Sequence, residues 1–376
     1  MPKIPMVDLL GQYHKIKPEV DKAIEKVLET TAFINGEAVK HFQNNLENYL
    51  DTKHVIPCGN GTDALQISMM ALGLKPGDEI ITPSFTFIAT AEVIALLGLK
   101  PVFVDVNIDT FTVDTIEIGK KITSKTKAII PVHLFGQSSN MEEIMRIADK
   151  YNLFVIEDTC QAIGADYTFS NGEKKKVGTI GNIGCVSFFP SKNLGAFGDG
   201  GAIFTDNDEL AKKCRSIVNH GMTKRYYHDN IGVNSRLDTI QAAILDVKLK
   251  HLDEYAEARQ KAANYYNNAF ADIPQLATPV VDKKSSHVYH QYTLVTKNID
   301  RDELVKFIHS KDISAAVYYP VPVHLQEAYK HYGHKMGALP ITEDLSKRVI
   351  SLPIHTEMTE DLQDEIINAV KEFIRK

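Results

Sequence analysis

Cysteine is scarce in this chain. Cys58, Cys160, Cys185 and Cys214 are the only four among 376 residues, and no two are spaced C-x-x-C. A chain of this length buries enough apolar surface to fold without disulfide staples, so the thiols are expected to be reduced. Long apolar runs are also missing: no stretch reaches membrane-spanning length, and no basic-then-apolar segment opens the sequence. Both absences point to a cytoplasmic protein. Excess positive charge is absent too. With 42 Lys and Arg against 48 Asp and Glu the formal net charge is −6, which argues against a nucleic-acid partner. The one dense basic run, Lys174-Lys175-Lys176, follows Asn171-Gly172 and reads as a solvated turn. No internal repeat or low-complexity segment is present. The remaining composition, 44% hydrophobic and 24% charged, is that of an ordinary globular protein with more than one domain.

Short, nearly continuous apolar runs alternate with helical patterns over the first two thirds of the chain. Strands are expected at 79–82, 101–105, 128–132, 153–158, 185–189 and 201–205, with helices at 37–50, 86–97 and 141–151. Runs without polar alternation are those of strands covered on both faces, and the βαβ order predicts a mostly parallel sheet between helical layers, an α/β fold. An N-terminal arm, 4–10, precedes a helix expected to begin near Pro18, a tolerated first-turn position. Beyond about residue 249 the pattern changes: long helical segments run from Ile240 to Phe270, followed by a strand at 291–295 and helices at 301–310 and from about 360. The division expected is a large domain, 1–249, and a smaller α+β domain, 250–376.

Lys192 ends the run Ser187-Phe188-Phe189-Pro190-Ser191-Lys192 and leads into a loop containing Gly195, Gly198, Gly200 and Gly201. A lysine held against apolar surface titrates below its free value, and its neutral amine attacks carbonyls. Taken alone, it is equally a surface lysine in a turn. Asp158 closes an apolar strand, and the carboxyl ends of strands line the ligand crevice of open α/β sheets; the plain alternative is a loop or capping carboxylate. Asn60-Gly61-Thr62 opens a helical pattern, offering backbone N–H groups, a hydroxyl and the positive end of a helix dipole to a phosphate, although Asn60 or Thr62 also serves as an ordinary cap. Ser187, five residues before Lys192, is placed for the same phosphate. Phe87 follows a strand end and is a candidate for stacking on a ring, with core packing as its alternative. An imine-forming lysine, a carboxylate for a pyridine nitrogen, a phosphate cradle and an aromatic cover are together the parts of a pyridoxal phosphate site.

Four runs, Gly59 to Leu65, Ile156 to Ala162, Ser187 to Gly201 and Gly232 to Asp238, stand in an order that resembles the sugar aminotransferases of the DegT/DnrJ/EryC1/StrS family, a branch of the aspartate-aminotransferase fold (fold type I). The resemblance implies that Lys192 is the Schiff-base lysine and proton shuttle, that Asp158 pairs with the pyridine nitrogen, and that Gln161 meets the ring's phenolic oxygen. It implies that Gly61, Thr62 and Ser187 hold the phosphate, that Phe87 covers the ring, and that Asn234 reaches the cofactor of a neighbouring subunit, making a homodimer with shared sites. Val317 to His324 resembles the family's lid over the sugar, with Tyr319 and His324 as substrate contacts; Arg236, Arg225 and Tyr227 are further candidates. Within the family the runs look like those of enzymes that aminate C3 of UDP-2-acetamido-2-deoxy-3-keto-glucuronate with L-glutamate as donor, for surface polysaccharides such as lipopolysaccharide O-antigen. Enzymes acting on dTDP-3-keto-6-deoxyhexoses, or on 4-keto sugars, look almost the same here.

Three rival classes fit less well. A nicotinamide oxidoreductase would need G-x-G-x-x-G after its first strand, whereas Gly178, Gly181 and Gly184 are spaced differently. A family dehydratase would carry histidine in place of Lys192, and a DNA-binding regulator would carry an added helix pair. His287 and His290 lack the H-E-x-x-H pattern of a zinc site, and no metal is expected.

Overall fold

The computed structural model describes residues 3–376. Its centre is a seven-stranded sheet in the order His54–Cys58, Gly201–Thr205, Ile183–Ser187, Phe154–Asp158, Thr126–Ile129, Glu79–Pro83, Lys100–Val104. Gly201–Thr205 runs antiparallel to both its neighbours, and the ladders beyond it are parallel. Helices cover both faces, so most strand residues are buried, which is why the strands carry Ile, Val and Ala rather than an alternating pattern. The order of α and β segments thus gave the right class.

Several local expectations are corrected. The first helix is Leu9–Thr30, and Pro18 lies inside it rather than at its start. Buried Ile16 and Val20 pack on Ile244 and Val247, and this tertiary contact outweighs the hydrogen bond that proline removes. The helix expected at 86–97 is Ala89–Leu96. The helical segments expected over 240–270 are Thr239–Leu249 and Leu252–Phe270, separated at Lys250 and His251. Lys174–Lys176 is no turn but a short strand paired with Asp166–Thr168, where Lys176 meets Asp166 at 3.0 Å. The strand His54–Cys58 was not foreseen, because Pro57 and the short mixed run hide it.

A second core gathers Tyr266, Phe270, Tyr292, Leu294, Leu304, Ile350 and Ile366 around the sheet Leu276–Ala277, Tyr292–Thr296, Val349–Leu352. Ile4 belongs to this core and pairs in parallel with Ile313, so the N-terminal arm reaches the C-terminal part of the chain. The four cysteines are unpaired. Among the described residues no helix is long and apolar enough to cross a membrane.

Candidate active site

The carboxyl ends of the parallel strands open into a cavity of about 780 Å³. Its wall includes Gly61, Thr62, Thr86, Phe87, Thr90, Asp158, Cys160, Gln161, Ser187, Lys192, His290 and Tyr319. Four elements deliver them. Phe154–Asp158 ends in the carboxylate, and Ile183–Ser187 ends in the serine and continues to the lysine. Glu79–Pro83 leads to Phe87, and His54–Cys58 leads into the helix Gly61–Ala71.

Lys192 stands on a closed loop. Phe188 anchors it, fully buried and edge-on to Phe42 at 5.4 Å between ring centroids. Burying such a ring stabilises by about 1.5–3 kcal/mol. The amides of Phe188, Ala196 and Lys192 donate to Gly200, Phe188 and Phe189. Gly195 passes so close to Pro190 that an added Cβ would lie 2.1 Å from its carbonyl oxygen, which is the reason for glycine there. Lys248, buried, donates to the Gly195 carbonyl at 2.5 Å, and burial with nearby Arg259 pushes its pKa down to about 7. The Lys192 side chain itself is half-buried. Desolvation in the cavity wall lowers its pKa, with Cys160 and Asp158 acting in the opposite sense. The uncharged, nucleophilic amine is thereby made more abundant.

Asp158 is 5% exposed. Its Oδ2 accepts from the Thr90 hydroxyl at 2.8 Å, and its Oδ1 accepts from the Cys160 amide at 3.2 Å. Thr86 extends this chain, 3.2 Å from Thr90. Two donors fix the plane of the carboxylate and leave lone pairs for a cationic partner in the cavity. Gln161 accepts from the Phe135 amide at 2.9 Å and donates to the Tyr319 hydroxyl at 3.1 Å, leaving its second N–H for a ligand oxygen. Burial raises the Tyr319 phenol far above its ordinary pKa, so the hydroxyl stays neutral. Phe87 is 54% exposed at the mouth, its ring centroid 6.3 Å from that of Tyr319, whereas Phe85 is the core residue of that pair.

Asn60 caps the helix Gly61–Ala71 by accepting from the Asp63 amide at 2.8 Å. The amides of Gly61 and Thr62 have no acceptor among the described residues and face the cavity together with Ser187. That is an anion cradle at the positive end of a helix. A Cβ on Gly61 would lie 2.7 Å from Cβ of Ser187 and 2.8 Å from Sγ of Cys160, so only glycine lets the cradle close. Gly61→Ala should therefore weaken pyridoxal phosphate binding by about 10–100-fold, with much less effect on pyridoxal lacking the phosphate. Fluorescence titration of the two ligands checks this; equal loss for both would show a general collapse instead.

The remaining candidates lie elsewhere. His324 was expected at the substrate, yet it is 1% exposed and engaged at both ring nitrogens, by Ser84 at 2.7 Å and Glu343 at 3.2 Å. The short 3₁₀ turn Val323–Leu325 rotates it inward, where it fastens the Val317–His324 segment to the end of the Glu79–Pro83 strand. Asn234 is exposed outside its own chain's cavity, next to Ser235, which hydrogen-bonds Asp63 at 2.6 Å. Arg236 lines a separate small pocket with Lys40 and Arg215. Arg225 and Tyr227 sit on an exposed hairpin, Met222–Lys224 with Tyr227–His228. Sequence reasoning missed Thr86, Thr90, Lys248 and the cavity role of His290, which is 5% exposed, kept neutral by burial, and without a partner for its Nδ1 among the described residues. Only its position two residues before the Tyr292–Thr296 strand marked it, and that signal is weak.

A lysine whose charge is disfavoured by desolvation, a doubly held carboxylate and an anion cradle on one cavity wall fit pyridoxal phosphate. Comparison with known proteins agrees. The profile of the DegT/DnrJ/EryC1/StrS aminotransferase family matches residues 14–371. The chain is 47% identical to the "pleiotropic regulatory protein" of Geobacillus stearothermophilus, with 99% of each covered. It is 43% identical to the UDP-2-acetamido-2-deoxy-3-oxo-D-glucuronate aminotransferase of Pseudomonas aeruginosa, covering 94% of this chain and 95% of that one. Among solved structures, a DegT/DnrJ/EryC1/StrS aminotransferase from Brucella abortus superposes with a TM-score of 0.93 at 41% identity, covering 99% of this chain and all of that one. NtdA from Bacillus subtilis, solved with bound cofactor PMP, superposes with a TM-score of 0.89 at 32% identity, covering all of this chain and 86% of that one. The chain belongs to the DegT/DnrJ/EryC1/StrS aminotransferase family.

Proposed function

We propose that this protein transfers an amino group from L-glutamate to C3 of a nucleotide-linked 3-keto sugar, with UDP-2-acetamido-2-deoxy-3-keto-glucuronate, the sugar for which one relative is named, as the substrate. The observation that carries the reading is the convergence of Lys192, Asp158, Gln161 and the Gly61–Thr62–Ser187 cradle on one cavity. Pyridoxal phosphate, when bound, supplies an aldehyde that takes up amines and a ring that withdraws electrons from the carbon beside them. Lys192 would hold the aldehyde through its Nζ, and the same atom, when free, would move the proton at the donor's Cα. Asp158 keeps a proton on the ring nitrogen. Gln161 orients the ring through its free N–H, the cradle takes the phosphate, and Phe87 with Tyr319 screens the ring from water.

The relative named as an aminotransferase of a UDP-3-oxo-glucuronate shares 43% of its residues with this chain over nearly its whole length, which supports the UDP-linked 3-keto substrate. In this reading Asn234, Arg236, Arg225 and Tyr227, which lie outside their own chain's cavity, complete the site of a second copy, making the working enzyme a cytoplasmic homodimer. A panel of UDP- and dTDP-linked 3-keto and 4-keto sugars, each with glutamate, tests the substrate. The amine is expected at C3 of the UDP-linked sugar by NMR of the product. An amine at C4, or turnover of dTDP sugars alone, would overturn the substrate and leave the transaminase.

A further inference from the structure

Behind Asp158, on the opposite face of its strand, lies a buried pair that the reaction as described does not use. Glu157 and His133 are both fully enclosed. Glu157 accepts four N–H groups: His133 Nε2 at 3.0 Å and Gly178 at 2.9 Å on Oε2, Ile180 at 2.7 Å and Gly181 at 2.5 Å on Oε1. Four donors on two oxygens mark an acceptor-only carboxylate. The Ser139 amide donates to His133 Nδ1 at 3.0 Å, so the imidazole carries its single proton on Nε2 and spends it on Glu157. The pair is therefore a neutral ring on a carboxylate, in one fixed tautomer.

Its connections lead to the site. The His133 amide donates to the Asp158 carbonyl at 3.0 Å, and the Asp158 amide donates to Pro131 at 3.0 Å, so the segment bearing His133 grips the catalytic carboxylate's backbone on both sides. The same segment continues into the turn whose Phe135 amide orients Gln161. The turn of Gly178 to Gly181 enters the strand Ile183–Ser187, which carries Ser187 and then Lys192. One carboxylate thus joins the backbone of Asp158, the anchor of Gln161 and the approach to Lys192.

We propose that Glu157 and His133 are positioning residues that set the ring-binding carboxylate of Asp158 against Lys192, beyond stabilising the fold. This rests on the aminotransferase reading. Misplacement of a reacting group by about 1 Å can slow chemistry about 100-fold. His133→Leu removes the donor to Glu157 and the acceptor for Ser139. It should lower kcat per cofactor-bound site by about 10–100-fold, leave KM for both substrates within about twofold, raise the dissociation constant for pyridoxal phosphate by about tenfold, and move the pH midpoint of the bound cofactor's visible band by at least about half a unit. His133→Gln, which restores a donor and an acceptor, should return these values to within about threefold of wild type.

His133→Asn is the milder second variant. It keeps an acceptor for Ser139 but is too short to reach Glu157, and the same direction of change is expected if His133→Leu does not fold. Variants that lose only thermal stability, with kcat per loaded site, cofactor affinity and the band's pH midpoint all unchanged, overturn the positioning role. A wild-type chain that binds no pyridoxal phosphate overturns both this inference and the reading beneath it.

Discussion

Lys192→Ala should fold, bind the cofactor's phosphate through an intact cradle, and turn over at least about four orders of magnitude more slowly than wild type. Folding should survive because the lysine is half-buried and its charged ammonium is disfavoured by desolvation, so removing the side chain takes a strained charge out of the cavity wall without emptying the core. The loop is held by other contacts: the Phe188 ring, the backbone bonds of Phe188 and Ala196, and the Lys248 contact with Gly195. What would be lost is the one lysine amine that lines the cavity among the described residues, proposed both to hold an aldehyde and to move a proton at the donor's Cα. The measurements are single-turnover kinetics with glutamate, a direct titration with pyridoxal phosphate, and addition of a small primary amine, which should return part of the rate by entering the space left by the side chain. Activity within tenfold of wild type would remove Lys192 from the chemistry.

The parts of the molecule legible in the sequence are those where one physical constraint dominates. Strands buried on both faces read as apolar runs, and the lysine, Asp158 and the Asn60-Gly61-Thr62 turn stand at strand ends where topology opens a crevice. What stayed hidden depends on contacts distant in the chain. Thr90 is a plain helical residue until Asp158, 68 positions away, accepts its hydroxyl. His324 lies close to Tyr319 in sequence, but the turn that separates them sends one side chain to the cavity and the other to Ser84 and Glu343. Pro18 obeys a local rule for helix starts that packing of Ile16 and Val20 overrides. The glycines at 178 and 181 carried no positive signal, only a mismatch to a dinucleotide fingerprint, yet their amides bind the carboxylate of Glu157.

The second large effect is expected at Asp158, and it separates shape from charge. Asp158→Asn keeps the side chain's size and still offers an acceptor to the Cys160 amide; the Thr90 hydroxyl can turn from donor to acceptor because Thr86 lies 3.2 Å away as an alternative partner. Stability should consequently change little. The amide carries no negative charge, so it no longer favours a proton on the ring nitrogen, and the ring loses its pull on the donor's Cα–H bond. Removing one preorganised electrostatic group of this kind typically lowers kcat by about 10²–10³-fold. A charge-assisted contact is worth about 1.5–3 kcal/mol, so the cofactor's dissociation constant should rise by about 10–100-fold as well. Measuring kcat at saturating cofactor separates the two effects, and the rate of exchange of the glutamate Cα proton in deuterated water isolates the proton-transfer step, which should slow at least as much as kcat. A variant that exchanges this proton at the wild-type rate would show that the carboxylate at 158 serves the fold and not the ring.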